Sequence, residues 1–170
     1  AETAKPVAKV APVAHGKPVL WSADGKSVTL FFKVGKAPSV WKTWALRSSD
    51  SGKTWGAPAE LVPGDTSDGR GPVKNKPILL ADGTLAAPAS TEAGKWRAFV
   101  DCSADGGLTW KKGAEIPWTG IIQPTFWESP AGQLHAFLRS DCGAIVRADS
   151  KDGGLKWDGV GKTLLPNNNS

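Results

Sequence analysis

The sequence has no tyrosine, no methionine, only two cysteines and no apolar run approaching 18 residues. The last absence excludes a membrane-spanning helix. Cys102 and Cys142 stand outside any C-x-x-C spacing, which removes sequence support for a zinc or dithiol redox centre. No block of five or more basic residues occurs and no nucleic-acid motif is present, so the net charge of +5 has no stripe to lay along a phosphate backbone and no nucleic-acid partner is expected. The opening AETAKPVAKVAP lacks the pattern of a signal peptide. With no initiator methionine, the chain reads as processed or as cut from something longer.

Charged residues make up 22% and hydrophobic residues 40%, the balance of a chain that folds rather than stays disordered. A length of 170 residues suffices for one domain with a real core. The sequence pI near 9.3 suits an acidic ligand such as a uronate, a sialic acid or a sulfated glycan, and equally suits plain solubility. Aromatic usage is skewed to nine Trp and five Phe. Three of those Trp close copies of one octapeptide: Ser48 to Trp55, Ser103 to Trp110 and Ser150 to Trp157 all read S-x-D-x-G-x-[TK]-W. A fixed octapeptide recurring about every 50 residues marks a repeat architecture.

Residues 1–14 alternate Ala, Pro, Lys and Val and read as an extended arm or linker, or as a cleavage or cloning remnant. From residue 15 the pattern becomes short strands with turn punctuation. In the first unit, strands are expected over 17–21, 27–34, 41–47 and 59–62, with a hairpin turn at Ala23 to Lys26. The second unit repeats this over 76–80, 84–90, 95–102 and 114–116, and the third over 123–127, 133–139, 143–149 and 162–165. Each first strand opens with x-Pro, at Pro18, Pro77 and Pro124. Four-stranded units of this length are β-propeller blades. The fold class is therefore all-β, a propeller fragment of about three blades over 15–63, 72–117 and 121–165, with a fourth starting at Pro166. A sandwich of short strands is the rival, but it does not explain an octapeptide fixed at every third-to-fourth strand turn. Three blades leave the ring open, so the isolated chain is not expected to be a stable monomer, and the remaining blades are expected on another fragment or chain.

The octapeptide's chemistry is local. Its Asp can accept bonds from turn amides, its Gly supplies positive φ, its hydroxyls satisfy further turn groups and its Trp anchors the turn between strands. A calcium loop needs about six oxygen ligands, and each copy offers one carboxylate, so no metal and no cofactor are expected. Cys102 ends a third strand and Cys142 lies in a second-to-third turn, so the two fall at opposite faces and no disulfide between them is expected.

The octapeptide resembles the Asp-box, or bacterial neuraminidase repeat, of the sialidase superfamily. Gly71 to Ile78, Ile122-Gln123-Pro124, Leu138-Arg139-Ser140 and Leu165 to Ser170 further resemble a predicted-sialidase branch of secreted or periplasmic propellers. The resemblance covers roughly residues 15–170. It implies a six-bladed ring of which this chain supplies about half, an extracytoplasmic location, and a substrate on the face away from the Asp boxes, over the central channel. First-strand starts and second-strand ends share that face. They bring His15, Lys17, Lys74, Asn75, Lys76, Gln123 and Asn167 to Asn169 near Lys33, Thr91, Glu92, Arg139 and Asp141. Loop residues are commonly polar. As a group, however, Arg139, Lys74, Asn75, Lys76, Gln123 and Asn167 suit recognition of a sugar carboxylate. Glu92 and Asp141 are the carboxylates for acid/base work, since a glycosidase needs two such groups across the scissile bond. His135 is the residue of a packed strand rather than a base.

The chain departs from the family pattern of an arginine triad, a Tyr paired with Glu, and an Asp. It has no Tyr, and of its five arginines only Arg139, and less clearly Arg70, falls on the substrate face. Two functions therefore stand: a sialidase-like glycoside hydrolase acting on an anionic glycan, or a non-catalytic propeller module for glycan binding or protein–protein scaffolding. The sequence Asn168-Asn169-Ser170 is an N-x-S sequon, read as coincidence in an Asn-rich loop.

Overall fold

The computed structural model describes residues 8–67, 69–130 and 132–167. The sequon, and the fourth unit beyond Asn167, lie outside the described residues. Within them the chain forms three four-stranded antiparallel sheets, each with its strands in chain order. The first holds β1 (His15–Trp21), β2 (Val28–Val34), β3 (Lys42–Ser48) and β4 (Ala59–Glu60). The second holds β5 (Ile78–Leu79), β6 (Leu85–Thr91), β7 (Arg97–Ser103) and β8 (Lys111–Glu115). The third holds β9 (Ile121–Ser129), β10 (Gln133–Ser140), β11 (Ala144–Ser150) and β12 (Asp158–Pro166). Among the described residues the only helix is a single 3-10 turn at Pro38–Val40, and no helix is long and apolar enough to cross a membrane.

The expected strands are present, with shifted ends that have local causes. β5 is two residues long where five were expected. Pro77 just before it and Pro88 opposite its missing stretch both lack an N–H, so the ladder cannot continue there. The Pro88 carbonyl instead accepts from Val73 N–H at 3.1 Å. β8 begins at Lys111, directly after the box Trp, rather than at Ala114. In β1 and β9 the x-Pro pair is a β-bulge. The register steps from Gly16↔Lys33 to Val19↔Phe31, and from Ile122↔Arg139 to Thr125↔Phe137. The residue before each Pro is left-handed, Lys17 at φ 52 and Gln123 at φ 54.

Period-2 alternation sends successive side chains to opposite sheet faces. On β6, Leu85 and Ala87 face the first sheet, where they meet Val19, Phe31, Ala45 and Leu61. Ala86 faces the third sheet and joins Val100, Ile121, Phe126, Leu134, Ala136, Leu138 and Val146 in the larger core cluster. Both faces of the second sheet are therefore buried. The outer face of the first sheet carries Phe32, Val34 and Leu46, and Ala8, Val10, Ala11 and Val13 of the N-terminal stretch lie against it. His15 fixes that stretch: Val10 N–H donates to His15 Nε2 (3.1 Å), and Nδ1 donates to the Val13 carbonyl (2.8 Å). The outer face of the third sheet presents Trp127 stacked on His135, with centroids 5.0 Å apart, and Phe137 beside them. His135 is hydrogen-bonded at both ends, to Ser129 Oγ (2.8 Å) and to Asp149 Oδ1 (2.5 Å), and Arg147 Nε also donates to Asp149.

Two of the three Asp-box tryptophans pin neighbouring sheets together. Trp110 meets Phe31 of the first sheet edge-on at 5.9 Å, and Trp157 Nε1 donates to the Ala114 carbonyl of β8 at 3.1 Å. A Cβ on the box residue Gly154 (φ +93) would come within 2.5 Å of Val100 Cγ1, so glycine serves both the turn and the close approach.

Candidate functional site

The Asp boxes follow β3, β7 and β11. The opposite sheet ends hold the starts of β9 and β11 and the ends of β10 and β12. There an open cleft of about 290 Å³ is lined by Lys74, Asn75, Gln123, Arg139 and Asn167, with Phe137 among its apolar neighbours. Five of the residues expected to hold a ligand thus come together in one cleft, from two sheets. Lys76, although exposed and close in sequence, is not among the lining residues, and neither are Glu92 and Asp141.

Each of the five is positioned by a local device. Lys74 has φ 65, and Asn75 N–H donates to the Val73 carbonyl at 2.7 Å. This closes a three-residue γ-turn in its rare positive-φ form. The turn presents Lys74 to solvent and aims Asn75 across the sheet boundary, where Nδ2 donates to the Gln123 carbonyl (3.0 Å) and the Pro124 carbonyl (2.8 Å). Gln123 N–H in turn donates to Ser90 Oγ at 3.2 Å. Asn75 is therefore a bracket between the second and third sheets as well as a cleft residue. Asn167 Nδ2 donates to the Ser140 carbonyl at 2.5 Å, which ties the end of β12 to the end of β10.

Arg139 lies on the same strand face as Phe137. Its guanidinium carbon is 5.2 Å from the ring centroid of Trp96, which the β6–β7 turn supplies. Sequence reasoning missed Trp96; the signal was an aromatic at the start of the strand expected over 95–102, on the face predicted for Arg139. The same turn connects to Asp141. Gly120 N–H donates to the Trp96 carbonyl and Asp141 N–H donates to the Gly120 carbonyl, both at 2.9 Å. Gly120 is left-handed (φ +77), and a Cβ on it would sit 2.3 Å from the Asp141 carboxylate oxygens. The Asp141 carboxylate therefore rests over a glycine.

Two cations of the substrate-face group turn out to be internal. Lys33, at the end of β2, is 2% exposed, and its Nζ donates to Thr43 Oγ1 (2.6 Å) and to the Arg70 carbonyl (2.8 Å). Arg70 itself makes a two-pronged pair with Asp101, Nε to Oδ2 at 2.8 Å and Nη2 to Oδ1 at 2.9 Å, and a third bond to Asp65. Asp101 is fully buried and also accepts from Gly71 N–H. These charges lock the first sheet to the second. The hydrogen bonds Arg70 donates to the Asp101 carboxylate raise its pKa above its already high ordinary value. Strand alternation turns Lys33 and Asp101 into the space between sheets, where the Arg70 guanidinium matches Asp101 and the Thr43 hydroxyl and Arg70 carbonyl accept from Lys33. An acid inside the apolar run Phe99-Val100-Asp101 was the sequence signal for this.

At the opposite end the box carboxylates are occupied. Asp50 accepts from Thr54 N–H (2.8 Å), Thr54 Oγ1 (2.6 Å) and Ser48 Oγ (2.7 Å), and Asp105 repeats this with Thr109 and Ser103. Asp152 has Lys156 N–H and Ser150 Oγ, but Lys156 brings no hydroxyl. Among the described residues no group of three or more His, Cys, Asp or Glu could hold a metal ion. Cys102 and Cys142 are both free thiols, and burial pushes Cys102 up to about 11.

The model of the BNR repeat-like domain matches residues 3–170. Among curated proteins there is no match. Similar solved structures include a protein of unknown function from Dyadobacter fermentans, with a TM-score of 0.77 and 20% identity, covering 92% of this chain and 53% of that one. The Hadza microbial sialidase Hz136 has a TM-score of 0.71 and 20% identity over 89% of this chain and 34% of its own. The Trypanosoma rangeli sialidase, solved as a covalent intermediate with 2,3-difluorosialic acid, has a TM-score of 0.67 and 20% identity over 84% and 27%. The chain thus spans about half the length of the first and about a third or less of the two sialidases. At these identities the likeness is one of fold, and the fold is the sialidase-type β-propeller.

Proposed function

Since this chain belongs to the family of BNR repeat-like domains and shares the sialidase propeller fold, we propose that its cleft binds the acidic group of an anionic carbohydrate, as part of a sialidase-like glycoside hydrolase. One observation carries this reading: Lys74, Asn75, Gln123, Arg139 and Asn167 converge from two sheets on one cleft. A guanidinium and an ammonium attract a carboxylate, and flanking amides orient hydroxyls. Binding sites of propellers with this fold lie at the end away from the Asp boxes, which agrees with the location of the cleft. Glu92 and Asp141 are the acid/base candidates, and the rest of the ring completes the catalytic set.

A second reading, a non-catalytic glycan-binding module, is favoured by a specific feature: among the described residues the polar lining of the cleft is cations, amides and a hydroxyl, without a carboxylate side chain. Titration calorimetry with glucuronate and N-acetylneuraminate, beside hydrolysis of their aryl glycosides, separates the two. The intact protein is expected to bind one of these acids, and Arg139→Ala to weaken it about 10- to 100-fold, the range for a charge-assisted hydrogen bond. Turnover lost in Glu92→Ala or Asp141→Ala with binding retained supports the hydrolase. Binding with no turnover by the unaltered protein selects the second reading, and no binding of either acid removes both.

A further inference from the structure

Gln123 is held in place by its backbone on both sides, and among the described residues its side-chain oxygen has no hydrogen-bond partner. Its φ of 54 lies in the left-handed region, which a glutamine enters only where its surroundings hold it there. Ser90 fixes its N–H and Asn75 fixes its carbonyl. Pro124 follows it, and the bulge it centres is the irregular point between β9 and β10. The residue is 7% exposed and lines the cleft. Among the described residues, no hydrogen-bond partner lies within reach of Gln123 Oε1, which is itself shielded from solvent. A buried acceptor without a partner is rare in folded proteins and points to a group that arrives from outside. Strained backbone and an unmet acceptor thus coincide at one cleft residue, beside a second strained one, Lys74.

We infer that Gln123 Oε1 is a specificity determinant that accepts a hydrogen bond from the ligand, so that the cleft selects an acid carrying an O–H or N–H donor near its anionic group over a simple anion. The inference rests on the reading of the cleft as an acidic-carbohydrate site and adds the donor. A ligand that brings the matching donor gains a hydrogen bond to an acceptor the free protein leaves unpaired, and an analogue without the donor forgoes that gain. In a cleft that stays open to solvent, the loss is about 10- to 100-fold in affinity, within the range for one unsatisfied buried group.

The experiment is titration calorimetry on the intact protein with glucuronate and N-acetylneuraminate. Analogues of each in which one hydroxyl or the acylamino donor is replaced by hydrogen complete the series. For whichever acid binds, one analogue is expected to bind 10- to 100-fold more weakly than its parent, and whether it is a hydroxyl or the acylamino deletion identifies the donor. In Gln123→Met, close in volume but without the acceptor, the parent should fall to the level of that analogue, while the analogue itself changes less than twofold. A merely structural role for Gln123 would weaken parent and analogues alike, and that outcome overturns the inference. It is equally overturned if every analogue matches its parent in the unaltered protein, a comparison that holds even if Gln123→Met does not fold. If an acid binds and Gln123→Met leaves the series unchanged, the donor is wrong and the acidic-sugar reading stands. If neither acid binds, the reading of the cleft falls and the inference with it.

Discussion

At the Asp-box end of the sheets, Asp50, Asp105 and Asp152 each spend their lone pairs on amides and hydroxyls of their own turn, and the box Trp reaches back to the neighbouring sheet. At the cleft end, Lys74 and Gln123 sit in left-handed backbone, and the Gln123 side-chain oxygen has no partner among the described residues. The first set of groups is consumed by the fold, while the second is held against local preference. The groups satisfied within their own turns lie where the recognisable motif is, and the groups we propose to bind a ligand lie where it is not.

The comparison can be broken most forcefully at the pins. Trp110→Ala removes the edge-on contact with Phe31 and the bond from Nε1 to the Gly107 carbonyl. Chemical denaturation should show a loss of about 3–5 kcal/mol, with the affinity of the remaining folded protein for an acidic sugar unchanged. A coupled loss of affinity would show that the two ends are not separable. On the cleft side the sign reverses. Lys74→Gly relieves the positive-φ turn and should raise stability by about 0.5–1 kcal/mol while weakening anion binding. A destabilised Lys74→Gly protein would show that the turn is not strained.

A smaller effect is expected on acidification. The Thr54 hydroxyl and amide, with Ser48, hold the Asp50 carboxyl down to about 2 from an ordinary 3.8. A depressed folded pKa means that the stabilisation is complete above the unfolded value and is lost as pH falls through the folded one. Melting temperature should therefore decline between about pH 4 and pH 2 with a slope that Asp50→Asn reduces. Cleft variants such as Arg139→Ala should leave that slope intact. Smallest of all is the repair of the third box. Lys156→Thr supplies the hydroxyl that Thr54 and Thr109 provide in the other two, and should raise Tm on the order of a degree. No rise would mean that the hydroxyl is dispensable once the amide bond to Asp152 is made.

The architecture was legible because its signals are local. S-x-D-x-G-x-[TK]-W closes its own hydrogen bonds within eight residues, so three copies announce three sheets, and x-Pro marks each first strand. The cleft was legible in part. Strand direction alone put Lys74, Asn75, Gln123, Arg139 and Asn167 at one end of the sheets. It could not separate them from Lys76, which lies outside the cleft lining, or from Lys33 and Arg70, which the fold turns inward against Thr43 and Asp101.

What the sequence by itself determined is the repeat: the strands, their order and the turn that ends every third one, all products of bonds between near neighbours. What only the tertiary structure decided is which polar groups are left over once sheets meet. Arg70 and Asp101 meet at the boundary between sheets as a matched pair, and Lys33 beside them donates to the Thr43 hydroxyl and the Arg70 carbonyl. Gln123, held by Asn75 and Ser90 across a different boundary, keeps its acceptor unmet. That difference is set by contacts between residues up to about 50 positions apart, and no pattern within a single strand encodes it.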